Sequence, residues 1–209
     1  MQTIFTGTVN DEYTVIWLDE VDSTSAVVER NNENLADLTV IAADFQTAGR
    51  GQADHKWHSS AGLNLTFSIL VKYGAQRDLT PSAQQILTPA ASLAVVDFLA
   101  ERGIDAVIKK PNDIYVDGKK ICGMLIENGI RNGAMARTIF GIGINVNQTE
   151  FPADLPNPVS MSVLTGKKYD RMECLNSFLK HFSNRMSQIW QDAETLRREY
   201  ELKVISLQK

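Results

Sequence analysis

The sequence predicts an α+β fold in which helices pack on a mixed β-sheet. Short runs of β-branched and aromatic residues alternate with segments whose apolar residues recur at helical spacing. The turn pair Asp117-Gly118 separates two strand-like runs and predicts a tight hairpin. Because hairpins are mixed with helices, the pattern favours α+β over a fully parallel α/β sheet.

The N-terminal half is predicted to contain three strands and one helix. Residues 14–18 and 39–45 are rich in β-branched residues, which predicts two strands. Between them, Asp22 or Ser23 is expected to cap a helix, because a short polar side chain can accept hydrogen bonds from first-turn amides. Residues 63–71 alternate between apolar and polar side chains, the clearest strand pattern in the chain.

The C-terminal half is predicted to begin and end with a helix. Thr80-Pro81 is a typical helix start, Gly103 a typical stop, and Pro89 is expected to split or kink the helix between them. Strands are predicted over four stretches, and a proline-rich loop follows them. The strands are residues 106–109, 113–116, 120–127 and 138–146, and the loop is 151–158. A long amphipathic helix then carries a core stripe formed by Leu175, Phe178, Leu179, Phe182, Met186, Ile189 and Trp190.

Composition narrows the classes of function. The chain has 209 residues, of which 44% are hydrophobic and 22% charged, so one soluble domain is expected. A net charge of -4 gives the protein no overall electrostatic attraction for the phosphate backbone of a nucleic acid, so nucleic acid is not an expected partner. Cys122 and Cys174 form no CxxC pair and are expected to be reduced thiols. We find no leader-like segment and no obvious membrane-spanning run, which favours a cytoplasmic protein without membrane contact.

The first segment that could bind a ligand is residues 46–52 (QTAGRGQ), which directly follows a predicted strand. Small residues let backbone amides approach an anion, and a guanidinium between two glycines can bind phosphate or carboxylate oxygens. The segment is therefore a candidate anion-binding loop. An ordinary surface turn is the alternative for this pattern alone.

Two further segments could complete a site. Residues 109–113 (KKPND) place an amide and a carboxylate near lysines, and residues 119–123 (KKICG) follow the hairpin; together they could hold Mg²⁺ and the phosphates of ATP. Residues 141–147 (GIGINVN) form a strand whose glycines would let a ligand lie against the backbone. Solvated turns and a bulged core strand are the alternatives.

The order of these segments resembles the biotin protein ligase family. The matching features run from Asp22-Ser23-Thr24 through the Gly-Arg-Gly loop, Trp57, the Pro-Asn-Asp segment and Lys120 to Asn145, over about residues 15 to 165. The resemblance implies a catalytic domain like that of class II aminoacyl-tRNA synthetases, covering residues 1–209. It also implies that the small C-terminal SH3-like domain of the family is absent or truncated, and that an N-terminal DNA-binding domain is lacking.

The resemblance also implies roles for individual residues. Arg50 and Lys120 take the catalytic positions, between the biotin carboxylate and the ATP phosphates. Asp113 takes the metal position. The biotin-binding positions are Ser23, Thr24, Gln46, Gly49, Arg50, Lys120 and Gly123, and the nucleotide-binding positions are Arg50, Gln52, Trp57, Asn112 and Asn145.

The implied activity uses ATP and Mg²⁺ to form biotinyl-5'-AMP and transfers biotin to a lysine of a biotin carboxyl carrier domain of a carboxylase. The protein would act as a monomer or homodimer. Lipoate protein ligase and a noncatalytic biotin- or nucleotide-binding homologue are the alternatives. The sequence departs from the family at Lys110, where tryptophan is usual, and at Gln52 and Asp54, in a loop that is usually more basic.

Overall fold

The computed structural model describes residues 2–53, 55–74 and 77–205, so Asp54 lies outside the described residues. It confirms the α+β class, with a mixed sheet in the order β1-β2-β3-β4-β8-β7-β6-β5. The strands are β1 (Thr3–Val9), β2 (Tyr13–Val21), β3 (Thr39–Gln46), β4 (Leu65–Lys72), β5 (Val107–Lys109), β6 (Asp113–Val116), β7 (Lys119–Arg131) and β8 (Ala134–Ile144). The helices are α1 (Thr24–Asn31), a 3-10 helix (Pro81–Ile86), α2 (Leu87–Ala100), α3 (Met161–Thr165), α4 (Arg171–Gln191) and α5 (Ala193–Lys203).

The chain forms two compact units. The first unit comprises Met1–Gln84 and Met124–Gly143, and the second comprises Gln85–Gly123 and Ile144–Lys209. The domain organisation expected from the sequence, one catalytic domain, stays a prediction.

In the first unit, β2 pairs with β1 antiparallel and with β3 parallel. Helix α1 connects the two parallel strands and packs on β3 and β4. Its apolar residues Val27 and Val28 enter a buried cluster that includes Leu18 and Ile41, and their burial fixes the helix on the sheet. The parallel pairing places the carboxyl ends of β2 and β3 side by side, and the register ends at Val21 and Gln46.

In the second unit, α2 is a core helix that contacts α4 and α5. The Phe98 and Phe178 rings meet edge to face, with centroids 6.1 Å apart. The Arg185 guanidinium bonds the Asp97 carboxylate at 2.6 Å and also pairs with Glu199, so its charge is neutralised from two helices. The paired residues of the β6–β7 hairpin, 113–116 and 119–123, lie in the same unit, and Asp117 and Gly118 at its turn both have positive φ, as the turn pair predicts.

The helical stretch after Thr80 is split near Pro89, as the sequence predicts: the 3-10 helix ends at Ile86 and α2 begins at Leu87, which places Pro89 in the first turn of α2. A prediction about the core is wrong. Trp190 is 42% exposed and is not part of the core stripe, whose other members are buried.

Within the described chain, Pro81–Ala100 is the one helical stretch that meets the length and hydropathy expected of a membrane span. Since 61% of it is buried inside the protein, it is accounted for as a core helix.

Both cysteines are free thiols, as the sequence indicates, and the structure shows that both are buried. Burial raises the pKa of the Cys122 thiol and that of the Cys174 thiol. Neither side chain is therefore prepared to act as a nucleophile.

Candidate active site

The carboxyl ends of β2 and β3 bring two of the predicted ligand-binding segments together. The amide of Thr47 donates to the carbonyl of Val21 at 2.9 Å, and the amide of Ala48 donates to the carbonyl of Asp22 at 2.8 Å. The segment that follows β2 is thereby fastened to the segment that follows β3. This edge of a sheet is a common location for ligand sites, because strand ends and helix starts expose polar groups there.

A buried polar network lies at this edge. Gln46 Oε1 accepts hydrogen bonds from the Thr24 amide at 2.8 Å and from the Thr24 hydroxyl at 3.2 Å. The hydroxyls of Thr24 and Ser25 each lie within 2.9 Å of the Ser68 hydroxyl on β4. Ser68 was not predicted as a site residue, because its position on the polar face of β4 suggested exposure, yet both faces of that strand are buried.

Ser23 is also buried and occupies the N-cap position of α1, but its side chain makes no capping hydrogen bond. The preceding Asp22 pairs instead with Arg30 at 2.6 Å. The hydrogen bond from Arg30 is the main reason that the pKa of Asp22 falls to about 2. The predicted cap residue is therefore correctly located, while its hydroxyl remains available for other contacts.

The Gly-Arg-Gly loop is closed on itself. The Trp57 amide donates to the Gly49 carbonyl at 3.0 Å, and the Gly51 amide donates to the His55 carbonyl at 2.8 Å. A Cβ on Gly49 would collide with the Trp57 carbonyl and lie 3.1 Å from Gln46 Nε2, so this position requires glycine for close approach. The Gly51 amide is already bonded within the loop and is therefore not free to bind an anion in this conformation.

The Arg50 side chain reaches β7. Its Nη2 donates to Oε1 of Glu127 at 2.5 Å, and the two side chains are 45% and 33% exposed. Glu127 is a residue that the sequence analysis missed, since a contact between positions 77 residues apart leaves no local signal. Gln52, the next predicted nucleotide-binding residue, is exposed, and its carbonyl accepts from the His55 amide at 3.1 Å.

Trp57 packs on the glycine-containing part of β8. A Cβ on Gly143 would lie 2.6 Å from Cζ2 and 2.7 Å from Nε1 of the Trp57 indole, so the ring rests directly on the backbone. Gly141 likewise makes room for Ser25, whose hydroxyl would be 2.5 Å from an added Cβ. The glycines of this strand therefore allow close approach to the backbone, as the sequence predicts. In this structure the groups that approach are protein side chains rather than a ligand.

In the second unit, Lys120 and Asp113 form an ion pair of 2.7 Å between β7 and β6. Gly123 lies opposite Asp113 in the strand register. The backbone of Lys120 is held by the segment that precedes α3, because its amide donates to the Asn157 carbonyl at 2.7 Å. Asn112, the residue before β6, is partly exposed.

Asn145 is 4% exposed and connects three backbone segments. Its side-chain amide donates to the Val159 carbonyl at 3.0 Å, and its backbone amide donates to the Ile121 carbonyl at 2.9 Å. Because the side-chain nitrogen is engaged by backbone, any contact with a base in this conformation would come through Oδ1.

The predicted residues thus fall into two groups, one in each unit. The first unit brings together the side chains around Thr24, Gln46, Gly49, Arg50 and Trp57, and the second unit brings together Asp113, Lys120, Gly123 and Asn145. Over the described ranges, no cluster of three or more His, Cys, Asp or Glu side chains is placed to hold a metal ion. A metal at Asp113 would therefore need most of its ligands from a bound substrate.

Comparison with known proteins identifies relatives of this arrangement. A sequence model of the biotin/lipoate A/B protein ligase family matches residues 17–145. The bifunctional ligase/repressor BirA of Bacillus subtilis is 37% identical over 176 residues, which cover 82% of this chain and 53% of that protein. The biotin–[acetyl-CoA-carboxylase] ligase of Mycobacterium tuberculosis is 30% identical over 161 residues, 75% of this chain and 57% of the relative.

The fold is shared with solved structures. Biotin protein ligase from Aquifex aeolicus, in complex with biotin and ATP, superposes with a TM-score of 0.77 at 34% identity, covering 91% of this chain and 78% of that chain. By contrast, the chain spans about half the length of the curated relatives named above, as their covered shares show.

Proposed function

The chain belongs to the biotin/lipoate A/B protein ligase family, and from that premise we propose that it is an ATP-dependent ligase that forms biotinyl-5'-AMP and transfers biotin to a carrier lysine. The observation that carries the proposal is the polar network of Thr24 and Gln46 beside the Arg50 loop. Relatives with this fold include a ligase in complex with biotin and ATP.

The network suits the ureido ring of biotin. A ureido group needs both a donor and an acceptor in a mostly apolar slot. Gln46 uses its Oε1 to hold Thr24, and within the described residues its Nε2 makes no hydrogen bond, so it can donate to the ureido carbonyl. The buried hydroxyls of Ser23 and Thr24 supply further polar groups, and Gly49 and Gly123 are also assigned to biotin.

Arg50 is assigned to the biotin carboxylate and the α-phosphate of ATP. A guanidinium can bind two oxyanions at once through separate N–H groups. Lys120 is assigned to the same reacting groups. Gln52, Trp57, Asn112 and Asn145 are assigned to the nucleotide.

Asp113 is the proposed protein ligand of Mg²⁺. Its chemistry fits, because Mg²⁺ commonly takes one or two protein carboxylates and completes its shell with phosphate oxygens and water. When bound, the ion would offset phosphate charge. The Lys120 ammonium lies 2.7 Å from Asp113 and orients that carboxylate.

The proposed reaction has two steps. An oxygen of the biotin carboxylate attacks the α-phosphorus of ATP, the bond to the β-phosphate oxygen breaks, and pyrophosphate leaves. The neutral amine of a carrier lysine then attacks the activated carbonyl carbon, forming an amide and releasing AMP. The protein contributes alignment and charge stabilisation, through Arg50 and Lys120, rather than a covalent intermediate.

Biotin is preferred over lipoate as the substrate. The family name includes lipoate ligases, but two of the relatives described above are named as biotin ligases, and one of these is named for acetyl-CoA carboxylase. We therefore propose the biotin carboxyl carrier domain of a carboxylase as the partner, and the cytoplasm as the location.

The test is mass spectrometry of a biotin carboxyl carrier domain incubated with the protein, biotin and MgATP, with lipoate in a parallel reaction. The expected result is one biotin-sized increment on a single carrier lysine and none with lipoate. Addition of lipoate alone would assign the protein to the other branch of the family. Binding of biotin without pyrophosphate release or carrier labelling would identify a noncatalytic homologue.

A further inference from the structure

Glu127 is the one carboxylate that contacts Arg50 in the described part of the chain, through the 2.5 Å bond to Nη2. The contact uses only the Nη2 nitrogen of the guanidinium. Within the described residues the other N–H groups of Arg50 make no hydrogen bond, so they are available to anions. Glu127 therefore fixes the direction of Arg50 without occupying its whole donor surface.

The other oxygen of this carboxylate is constrained by burial. Glu127 Oε2 is buried and has no hydrogen-bond partner among the described residues. A buried carboxylate oxygen is costly to leave unpaired, and the adjacent positive charge of Arg50 is what offsets that cost. The carboxylate and the guanidinium consequently stabilise each other in one orientation.

The same contact ties the loop to the sheet. The hydrogen bonds between Gly49 and Trp57 and between Gly51 and His55 close the loop on itself but do not attach it to a neighbouring strand. Attachment to β8 is made by the Trp57 ring on Gly143, and attachment to β7 is made by Arg50 on Glu127. Of these two contacts between the loop and the sheet, the ion pair is the polar one.

We propose that Glu127 is a positioning residue that holds Arg50, and with it the described loop residues 49–53 and 55–57, in the orientation that receives the substrate carboxylate. This inference rests on the proposed function for its substrate. Glu127 acts through Arg50 and touches no reacting atom.

The kinetic test measures pyrophosphate release with biotin and MgATP for the wild type, Glu127→Ala and Glu127→Gln. Glu127→Ala is expected to raise the KM for biotin and lower kcat/KM about ten-fold, the effect of losing one charge-assisted hydrogen bond. Glu127→Gln is expected to lose about three-fold, because its amide oxygen can still accept from Nη2. Glu29→Gln is the matched control, since Glu29 pairs with Arg137 in the same unit, and it is expected to leave both constants unchanged.

Two kinetic outcomes would overturn the proposal. A lower KM for biotin in Glu127→Ala would mean that Glu127 competes with the substrate for Arg50. Unchanged constants in both Glu127 variants would mean that Arg50 is positioned without it. Urea unfolding of each variant excludes loss of folded protein as the cause of a weaker activity.

A second measurement does not need catalysis. Arg50 and Lys56 provide two trypsin sites in the loop, and both side chains are exposed. If Glu127 anchors the loop, Glu127→Ala is cleaved after Lys56 about ten-fold faster than the wild type or Glu29→Gln, because cleavage requires local opening. Equal cleavage rates would refute the anchoring role. If the wild type released no pyrophosphate, the proposed function would fail while the cleavage rates still decided the role of Glu127.

Discussion

Replacing Gly143 with alanine tests the packing of Trp57 on β8. An added Cβ would lie 2.6 Å from Cζ2 of the indole, whereas ordinary contacts begin at 3.4 Å. The indole atom Cε2 would be closer still, so the ring would have to retreat by about 1 Å, and overpacking of this kind typically costs about 1–3 kcal/mol. Gly143 does not have a positive φ, so the backbone itself accepts alanine and the cost is attributed to the clash.

The assay is urea unfolding of Gly143→Ala beside Gly74→Ala. Gly74 is the matched control, because an added Cβ there meets no described atom within 4 Å, and a change within about 0.5 kcal/mol is expected. The decisive comparison repeats Gly143→Ala in a Trp57→Ala background, where the cost should fall below about 0.5 kcal/mol. A cost that persisted without the indole would refute the reasoning.

The remaining predictions concern the loop, the catalytic side chains, an ion pair and a thiol. Gly49→Ala should lower the free energy of unfolding by about 1–3 kcal/mol, because its Cβ meets the Trp57 carbonyl; unchanged stability would mean that the loop relaxes freely. Arg50→Ala and Lys120→Ala should each reduce pyrophosphate release about a hundred-fold or more while the circular dichroism spectrum is retained, and near-normal rates would remove these residues from the catalytic assignment. Since the pKa of Asp22 falls from 3.8 to about 2, its pair with Arg30 contributes stability above pH 3.8 that is lost as the pH falls towards 2. Both side chains are about half exposed, so Arg30→Ala should cost about 0.5 kcal/mol at pH 7 and less at pH 2; an equal cost at both pH values would contradict this. The Cys122 thiol, buried and with a raised pKa, should resist a thiol reagent until urea unfolds the protein, and rapid reaction in the native state would contradict its burial.

Much of the fold could be predicted because local patterns and tertiary packing agree. The β6–β7 hairpin follows from Asp117-Gly118, whose positive φ angles few other pairs tolerate. The apolar spacing of α4 correctly identifies Phe178 and Phe182 as core residues. The edge strand β1 was missed, because six of its seven residues, Thr3 to Thr8, are not buried and so leave no alternation to detect.

The candidate site shows a different limit. The segments of the site were found because their residue types are unusual at their spacing, as with the glycines on both sides of Arg50. Their partners were not found, because Ser68 and Glu127 are common residue types in ordinary strands. Only the packing of α1 on β4 and the reach of the Arg50 side chain give those two residues their contacts.

Lys110 shows how a departure from a family pattern is accommodated. A charge at a position where the family usually has tryptophan would be costly if that position were buried. Here the Lys110 ammonium bonds both oxygens of the Glu201 carboxylate on α5, at 2.9 and 3.0 Å. It also lies 5.6 Å from the centroid of the Tyr200 ring. Both charged side chains are more than half exposed, so water screens the pair and it adds little to the stability of the fold. Lys110 therefore introduces no buried charge, and its effect on function depends on the aromatic surface that it replaces rather than on stability.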